Sequence, residues 1–472
     1  MSNKNEARIR FAPSPTGHLH IGSVRVAIFN WLFAKHNNGK FLVRIEDTDV
    51  KRSTKEYTES ILDSLKWMNM QPDESIVYQS KRFKEYKKIA YELIENELAY
   101  PCFCSHFVKT TRNKPEKNDV GQKYPGICRN KKFTKEDLEK PHAIRFKLPE
   151  DLKTISFHDE IRGDISVDID QLDDFIIIKQ DKSPAYNFCV VVDDIFMNIT
   201  HLIRGEDHIS NTPKQILIYK ALKSNVPVFA HLPLILGQSG NKLSKRDAAT
   251  SVIEYKDQGY LPDALFNYLV RLGWAHGDQE IFTKKELIDL FSLDKVGKKG
   301  AIFDTKKLQW VNGVYIRNLN FDDFLTHVSD VNIDKKKELT DRLEVDKLAT
   351  LFELYKERSF TICKLADSII EFASPPKKLD LSLIQKWVSD KTKNLLEEFL
   401  IEIKQMEGYN HEILLSLSKN ICQKYNSKLV EIAQPLRLAL TGKTFSPGVF
   451  ELIAVLSVDE VTKRINNLIS KL

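Results

Sequence analysis

Apolar and polar residues alternate through Ile9 and Phe11, and from Gly22 onward Val24, Ile28, Trp31 and Leu32 recur at helical spacing on one face, as far as about His36. The first pattern predicts a strand and the second a helix. Between them Pro13, Pro15 and Gly17 suit neither element, so residues 13–23 read as a tight loop that ends where the helix begins. Residues 41–45 (FLVRI) predict a second strand, and a strand–helix–strand opening is that of a doubly wound α/β fold. Helical patterns follow over about 54–68 and 81–98. From about 101 to 184 the text changes to short strands, lysine-rich loops and scattered Pro and Gly, expected as an insertion. Strand-like text returns at 174–180 and 188–193. Residues 247–317 carry turn residues at Gly259, Pro262, Gly273 and Gly277, and from about 318 onward the pattern is almost wholly helical, with long runs such as 384–406 and 411–425. Pro375-Pro376 marks a boundary between two helical parts.

Two stretches carry candidate chemistry. His20 and Gly22 sit at a predicted helix start, where unpaired N–H groups and the positive end of the helix dipole make a cradle for an anion. Taken alone this is also compatible with an ordinary strand–helix turn bearing surface histidines. The run Lys242-Leu243-Ser244-Lys245-Arg246, taken alone, is a solvated basic loop. Together the two resemble the HIGH and KMSKS motifs of class I aminoacyl-tRNA synthetases, with residues 20–23 matching the first and 242–246 the second. RFAPSPTG at 10–17, RIEDTD at 44–49, NFCVVVDD at 187–194, IRGEDH at 203–208, YLVRLGW at 268–274 and QPLRLALTG at 434–442 extend the resemblance to the bacterial-type glutamyl-tRNA synthetases over nearly the whole chain. Ser23 departs from the histidine of the class motif, but a small residue there is shared by glutamyl enzymes.

Composition adjusts this picture only slightly. A chain of 472 residues exceeds what one hydrophobic core usually serves, and a net charge of +6 permits RNA binding without requiring it. No signal-peptide h-region opens the chain and no apolar run spans a bilayer, which points to a cytoplasmic protein without membrane contact. Six cysteines are too few for a disulfide framework.

The resemblance implies a Rossmann-like α/β doubly wound catalytic domain, split as 1–100 and 185–246, with an α+β insertion at 101–184 that binds the tRNA acceptor end. A connecting domain at 247–317 and an all-α C-terminal half, 318–376 and 377–472, that reads the anticodon would follow. Glutaminyl enzymes carry β-barrel anticodon domains, and shortened paralogues lack this half. The implied activity is ATP-dependent attachment of L-glutamate to tRNA(Glu) through an adenylate, with Mg²⁺ required by the ATP phosphates. Alternatives are a non-discriminating form that also charges tRNA(Gln), or an inactive RNA-binding relative. The family is commonly monomeric. By resemblance His20, Gly22, Lys242 and Lys245 are catalytic, and Thr16, Glu206, His208 and Ser244 join them around ATP. Arg10 would clamp the side-chain carboxylate of glutamate, Arg204 its main-chain carboxylate and Glu46 its ammonium, with Ala12, Ser14 and Tyr186 lining the pocket. The exposed basic run Lys109, Arg112, Lys114, Lys117, Lys123, Arg129, Lys131 and Lys132, together with Arg437, is expected to meet tRNA phosphates or bases, although a solvated loop and a helix cap are the plainer readings. Cys102, Cys104 and Cys128 form a partial zinc pattern whose last position is Asn130, a poor ligand. Either His106 or His142 substitutes from elsewhere, or the site is degenerate and empty; the empty reading is favoured on sequence.

Overall fold

A computed structural model describes residues 6–49, 51–104, 124–241, 243, 251–406 and 408–471. The chain forms two compact units, Met1–Glu254 with Leu265–Thr305, and Tyr255–Ala264 with Lys306–Leu472. Residues 265–305 thus group with the α/β part and 255–264 with the helical part.

The first unit is built on a seven-stranded sheet in the order β3-β2-β1-β9-β10-β6-β7. Its strands are β1 (Arg8–Phe11), β2 (Lys40–Ile45), β3 (Val77–Tyr78), β6 (Thr154–Asp159), β7 (Gly163–Asp168), β9 (His201–Gly205) and β10 (Val228–Leu232). All neighbouring pairs are parallel except the β6–β7 hairpin. Helix α1 (Ile21–His36) carries the chain from β1 to β2, which pair with Ile9 opposite Phe41 and Phe11 opposite Val43. It is buried around most of its circumference, with Ile21, Val24, Ile28, Phe29, Trp31 and Leu32 all in the core. Its exit requires Gly39, where a Cβ would collide with the Ala7 carbonyl. Helices α2 (Lys55–Trp67) and α3 (Phe83–Glu95) match the two predicted helical patterns.

Two expectations are corrected here. Residues 188–193, expected as a strand, lie inside a helix, α4 (Tyr186–Phe196), in which Phe188 to Asp194 are all buried. A run buried on every side loses its periodicity, and three consecutive valines then look like strand text even when tertiary packing makes them helical. The stretch 101–184 divides between two sheets. Strands β4 (Ala99–Cys102), β5 (Ala143–Phe146) and β8 (Ile176–Ile178) make a small antiparallel sheet, whereas β6 and β7 extend the main sheet, with Asp159 opposite Phe229. Strand pairing over such sequence distances has no local signature. Helix α5 (Thr212–Ala221) follows β9.

The second unit is helical. The single run expected over 384–406 is two helices, Leu381–Trp387 and Asp390–Lys404, because the Ser389 hydroxyl accepts from the Thr392 N–H and starts a new helix. Asn320, Asn332, Thr361, Asp380, Asn410 and Ser457 cap other helices of this unit in the same way. Among the described residues no helix is long and apolar enough to cross a membrane.

Candidate active site

Ligands of doubly wound folds bind beyond the carboxyl ends of the parallel strands. A cavity of about 520 Å³ lies there in the first unit, at the ends of β1, β2 and β9, against the start of α1. Of the residues expected from sequence, Arg10, Ala12, Ser14, Thr16, His20, Gly22, Glu46, Tyr186, Arg204 and His208 all line it. Glu206 is not among its lining residues: its carboxylate accepts from the Leu234 N–H at 2.8 Å and pairs with Arg162. Lys242, Ser244, Lys245 and Arg246 lie outside the described residues, as do His106, Lys109, Arg112, Lys114, Lys117 and Lys123. Leu243, the described residue of that second motif, lines the cavity and donates its N–H to the Ile235 carbonyl at 3.1 Å.

His20 is the N-cap of α1, and its Nδ1 accepts the Gly22 N–H at 3.0 Å. An Nδ1 that accepts carries no proton, so a neutral His20 ring bears its hydrogen on Nε2. The loop-to-helix transition read from the glycines and prolines thus fixes a tautomer.

The cavity floor is an alternating set of buried charges. Arg44, wholly buried on β2, donates to Asp194 Oδ1 at 2.5 Å and to Glu46 Oε1 at 3.0 Å. Arg10 Nε donates to the same Asp194 oxygen at 3.0 Å, and the Tyr219 hydroxyl donates to the other at 3.2 Å. Burial pushes the Asp194 carboxyl up, but Arg10 and Arg44 more than reverse this and hold it below the ordinary carboxylate range. At Glu46 burial wins: despite Arg44 and Arg10 its carboxyl titrates above the usual range, so its anion is under-compensated. Arg204 is the converse. Among the described residues its guanidinium donates only to neutral acceptors, His231 Nε2 at 3.1 Å, Gln215 Oε1 at 2.7 Å and Thr212 Oγ1 at 2.8 Å, and burial lowers its pKa. One cavity therefore contains a carboxylate short of a cation and a cation short of an anion. An α-amino acid supplies both. His208, whose Nδ1 lies 3.1 Å from the Tyr186 hydroxyl, is pushed down to about 4, first by burial and then by Arg204, and is neutral at neutral pH.

Sequence reasoning placed no role on Arg44, Asp194, His231, Gln215 or Thr212. Arg44 interrupts the apolar run FLVRI, and Asp193-Asp194 ends VVVDD. An ionisable group inside an apolar run must be paired when buried, and that was the available signal.

Elsewhere in the first unit the sulfur atoms of Cys102, Cys104 and Cys128 lie within 4.8 Å of one another. The Tyr124 hydroxyl stands among them, 3.4 Å from Cys102 Sγ and 3.9 Å from Cys104 Sγ. Asn130 is exposed, and the His142 Nδ1 is 2.8 Å from the Lys140 carbonyl oxygen. Arg129 is tied to Asp174 at 2.5 Å rather than free in a loop, while Lys131 and Lys132 are exposed. In the helical unit Arg437 is half-buried on the helix Leu429–Thr441, and its Nε donates to Ser446 Oγ at 3.0 Å.

Residues 6–310 match the family of class I tRNA synthetases (E and Q), catalytic domain, and residues 323–469 match an anticodon-binding domain. The fold is therefore that of a class I synthetase. Over 465 residues the chain is 42% identical to a glutamate-tRNA ligase of Thermodesulfovibrio yellowstonii, covering 98% of this chain and 99% of that one. A glutamate-tRNA ligase of Francisella tularensis subsp. novicida is also 42% identical, over 98% and 99%. A crystal structure of a glutamate tRNA ligase from Elizabethkingia meningosepticum in complex with its amino acid superposes with a TM-score of 0.87 at 32% identity, covering 99% of this chain and all of that one. The chain belongs to the glutamate-tRNA ligase family.

Proposed function

We propose that the protein attaches L-glutamate to the 3′ end of tRNA(Glu), consuming ATP and passing through a glutamyl-adenylate. The observation that carries this reading is the paired imbalance in the cavity, Glu46 under-compensated and Arg204, among the described residues, without a carboxylate partner. Arg204 takes the main-chain carboxylate and Glu46 the ammonium. Arg10 is already paired through Nε with Asp194 and turns the rest of its guanidinium to the side-chain carboxylate. Ala12, Ser14 and Tyr186 form the walls.

In the first step the main-chain carboxylate attacks the α-phosphate of ATP and pyrophosphate leaves. Charge accumulates on the phosphoryl oxygens, so catalysis needs placed donors rather than a nucleophilic side chain. His20 Nε2–H, Lys242 and Lys245 are those donors, with Gly22, whose own N–H is held by His20 Nδ1, letting the nucleotide come close to the start of α1, and with Thr16, Ser244 and His208 beside it; Glu206 acts through the Leu234 backbone and Arg162 rather than by contact. Mg²⁺ accompanies ATP and neutralises its phosphates. In the second step a terminal ribose hydroxyl of tRNA attacks the adenylate carbonyl, the ester bond forms as the carbonyl–phosphate bond breaks, AMP leaves, and the hydroxyl proton passes to the departing phosphate. Lys131, Lys132 and Arg437 meet the tRNA.

The three converging thiols of Cys102, Cys104 and Cys128 would supply three of the four ligands of a tetrahedral ion such as Zn²⁺. Such an ion would cross-link the end of β4 to the chain at Cys128. Metal analysis should find about one equivalent, lost in Cys104→Ser; metal-free protein of unchanged melting temperature refutes this.

The deciding experiment is aminoacylation with labelled glutamate and ATP, run in parallel on glutamate and glutamine tRNAs with glutamine as control amino acid. Charging of glutamate tRNA alone is expected. No charging of either tRNA overturns the proposal.

A further inference from the structure

Arg204 lies on β9, and its neighbour across the sheet on β10 is His231, a wholly buried histidine outside the cavity lining. One strand further, at the end of β6, Asp159 is also wholly buried. The three side chains form a line across adjacent parallel strands. Asp159 Oδ1 accepts the backbone N–H groups of Ile161, Arg162 and His231 at 3.1, 2.8 and 3.2 Å, while Oδ2 meets His231 Nδ1 at 2.5 Å. A carboxylate whose other oxygen is committed to backbone donors requires the ring proton at Nδ1. That leaves the Nε2 lone pair for the Arg204 Nε–H, 3.1 Å away. A doubly protonated ring would set N–H against N–H beside a guanidinium, and burial together with Arg204 opposes it more strongly than Asp159 favours it.

The consequence falls on Arg204. A guanidinium has five N–H donors. Three are spent on His231, Gln215 and Thr212, all neutral, and these fix its plane without cancelling its charge. We infer that the Asp159–His231 pair is the positioning element of this site, holding the Arg204 guanidinium so that its two remaining N–H groups and its whole charge face the main-chain carboxylate of the amino acid. The inference rests on the proposed role of Arg204. It predicts that a residue with no contact to the substrate sets the affinity for glutamate.

The test is aminoacylation kinetics on the full chain. In His231→Asn the amide N–H still reaches Asp159 but the Arg204 Nε–H loses its acceptor, while Gln215 and Thr212 still hold the other two. The KM for glutamate should rise about tenfold to a hundredfold, the change expected from loss of a hydrogen bond to a charged group. The KM for ATP should stay within about twofold. In His231→Gln an amide oxygen takes the place of Nε2, and most of the glutamate KM should return. The probe that localises the effect is the glutamate analogue with a hydroxymethyl group in place of the main-chain carboxylate, used as a competitive inhibitor. It should bind the wild type and His231→Asn alike. An unchanged glutamate KM in His231→Asn, equal weakening of glutamate and the analogue, or a His231→Gln variant no better than His231→Asn would each overturn the inference. Arg204→Met separates the two levels. If it too leaves the glutamate KM unchanged, the reading of the site fails; if it raises the KM while His231→Asn does not, only the positioning role is lost.

Discussion

Arg44→Met isolates what the buried charge set contributes. Arg44 is wholly buried, and its donors reach Asp194 at 2.5 Å and Glu46 at 3.0 Å, with Asp193 3.9 Å away. After the substitution Asp194 keeps Arg10, and Asp193 keeps Arg82 at 2.7 Å, but Glu46 loses its ion-pair partner. Removing one member of a buried pair costs about 3–5 kcal/mol, because the remaining charge is stranded in low dielectric. The cost should depend on pH. Glu46 already titrates above the ordinary carboxylate range, and without Arg44 it moves further up. A carboxyl with a raised folded-state pKa binds its proton more tightly folded than unfolded, so stability falls as pH rises through that window. The penalty of Arg44→Met should therefore be smaller at pH 5 than at pH 8, because Glu46 takes up its proton at a higher pH than an ordinary carboxyl. Urea unfolding followed by tryptophan fluorescence at both pH values measures it. A loss below about 1 kcal/mol, the range of an exposed ion pair, or a loss equal at both pH values, would refute the account of the site as a compensated charge set.

Three further outcomes are expected. Lys245→Ala should lower kcat for aminoacylation about a hundredfold to a thousandfold, the effect of removing one placed donor from a developing oxyanion, with the melting temperature unchanged; a loss under about tenfold would remove Lys245 from the reaction. His208 is neutral when folded and takes a proton more readily when unfolded, so stability should fall as pH drops from about 6.5 toward about 4, and His208→Gln should flatten that slope in acid melting curves. Arg437→Ala should raise the KM for tRNA and leave that for ATP untouched, since Arg437 and the cavity belong to different units; equal effects on both would count against an RNA contact.

Much of the site could be read directly from residue types. Pro13, Pro15, Gly17 and Gly22 announce a loop that opens a helix, and loop, helix start and anion cradle are local properties with local signatures. The helical second half was equally legible, because its one-sided amphipathic runs keep their period. Where the reading went astray there were two causes: 188–193 lost its period inside a packed helix, and the exposed Ser389 cap began a new helix within a run that hydropathy alone continued.

The chain by itself determined the order of the elements, the residue types at the cavity and the family to which it belongs. Only the tertiary structure decided how those charges are balanced. Whether Glu46 is short of a cation and Arg204 short of an anion depends on Asp194 from α4, Gln215 from α5, His231 from β10 and Asp159 from β6, brought together from positions up to 187 residues from Arg44. Hydrophobic periodicity reports burial, which is a property of each segment. Electrostatic compensation is a property of pairs, and pairs exist only once the sheet order is set.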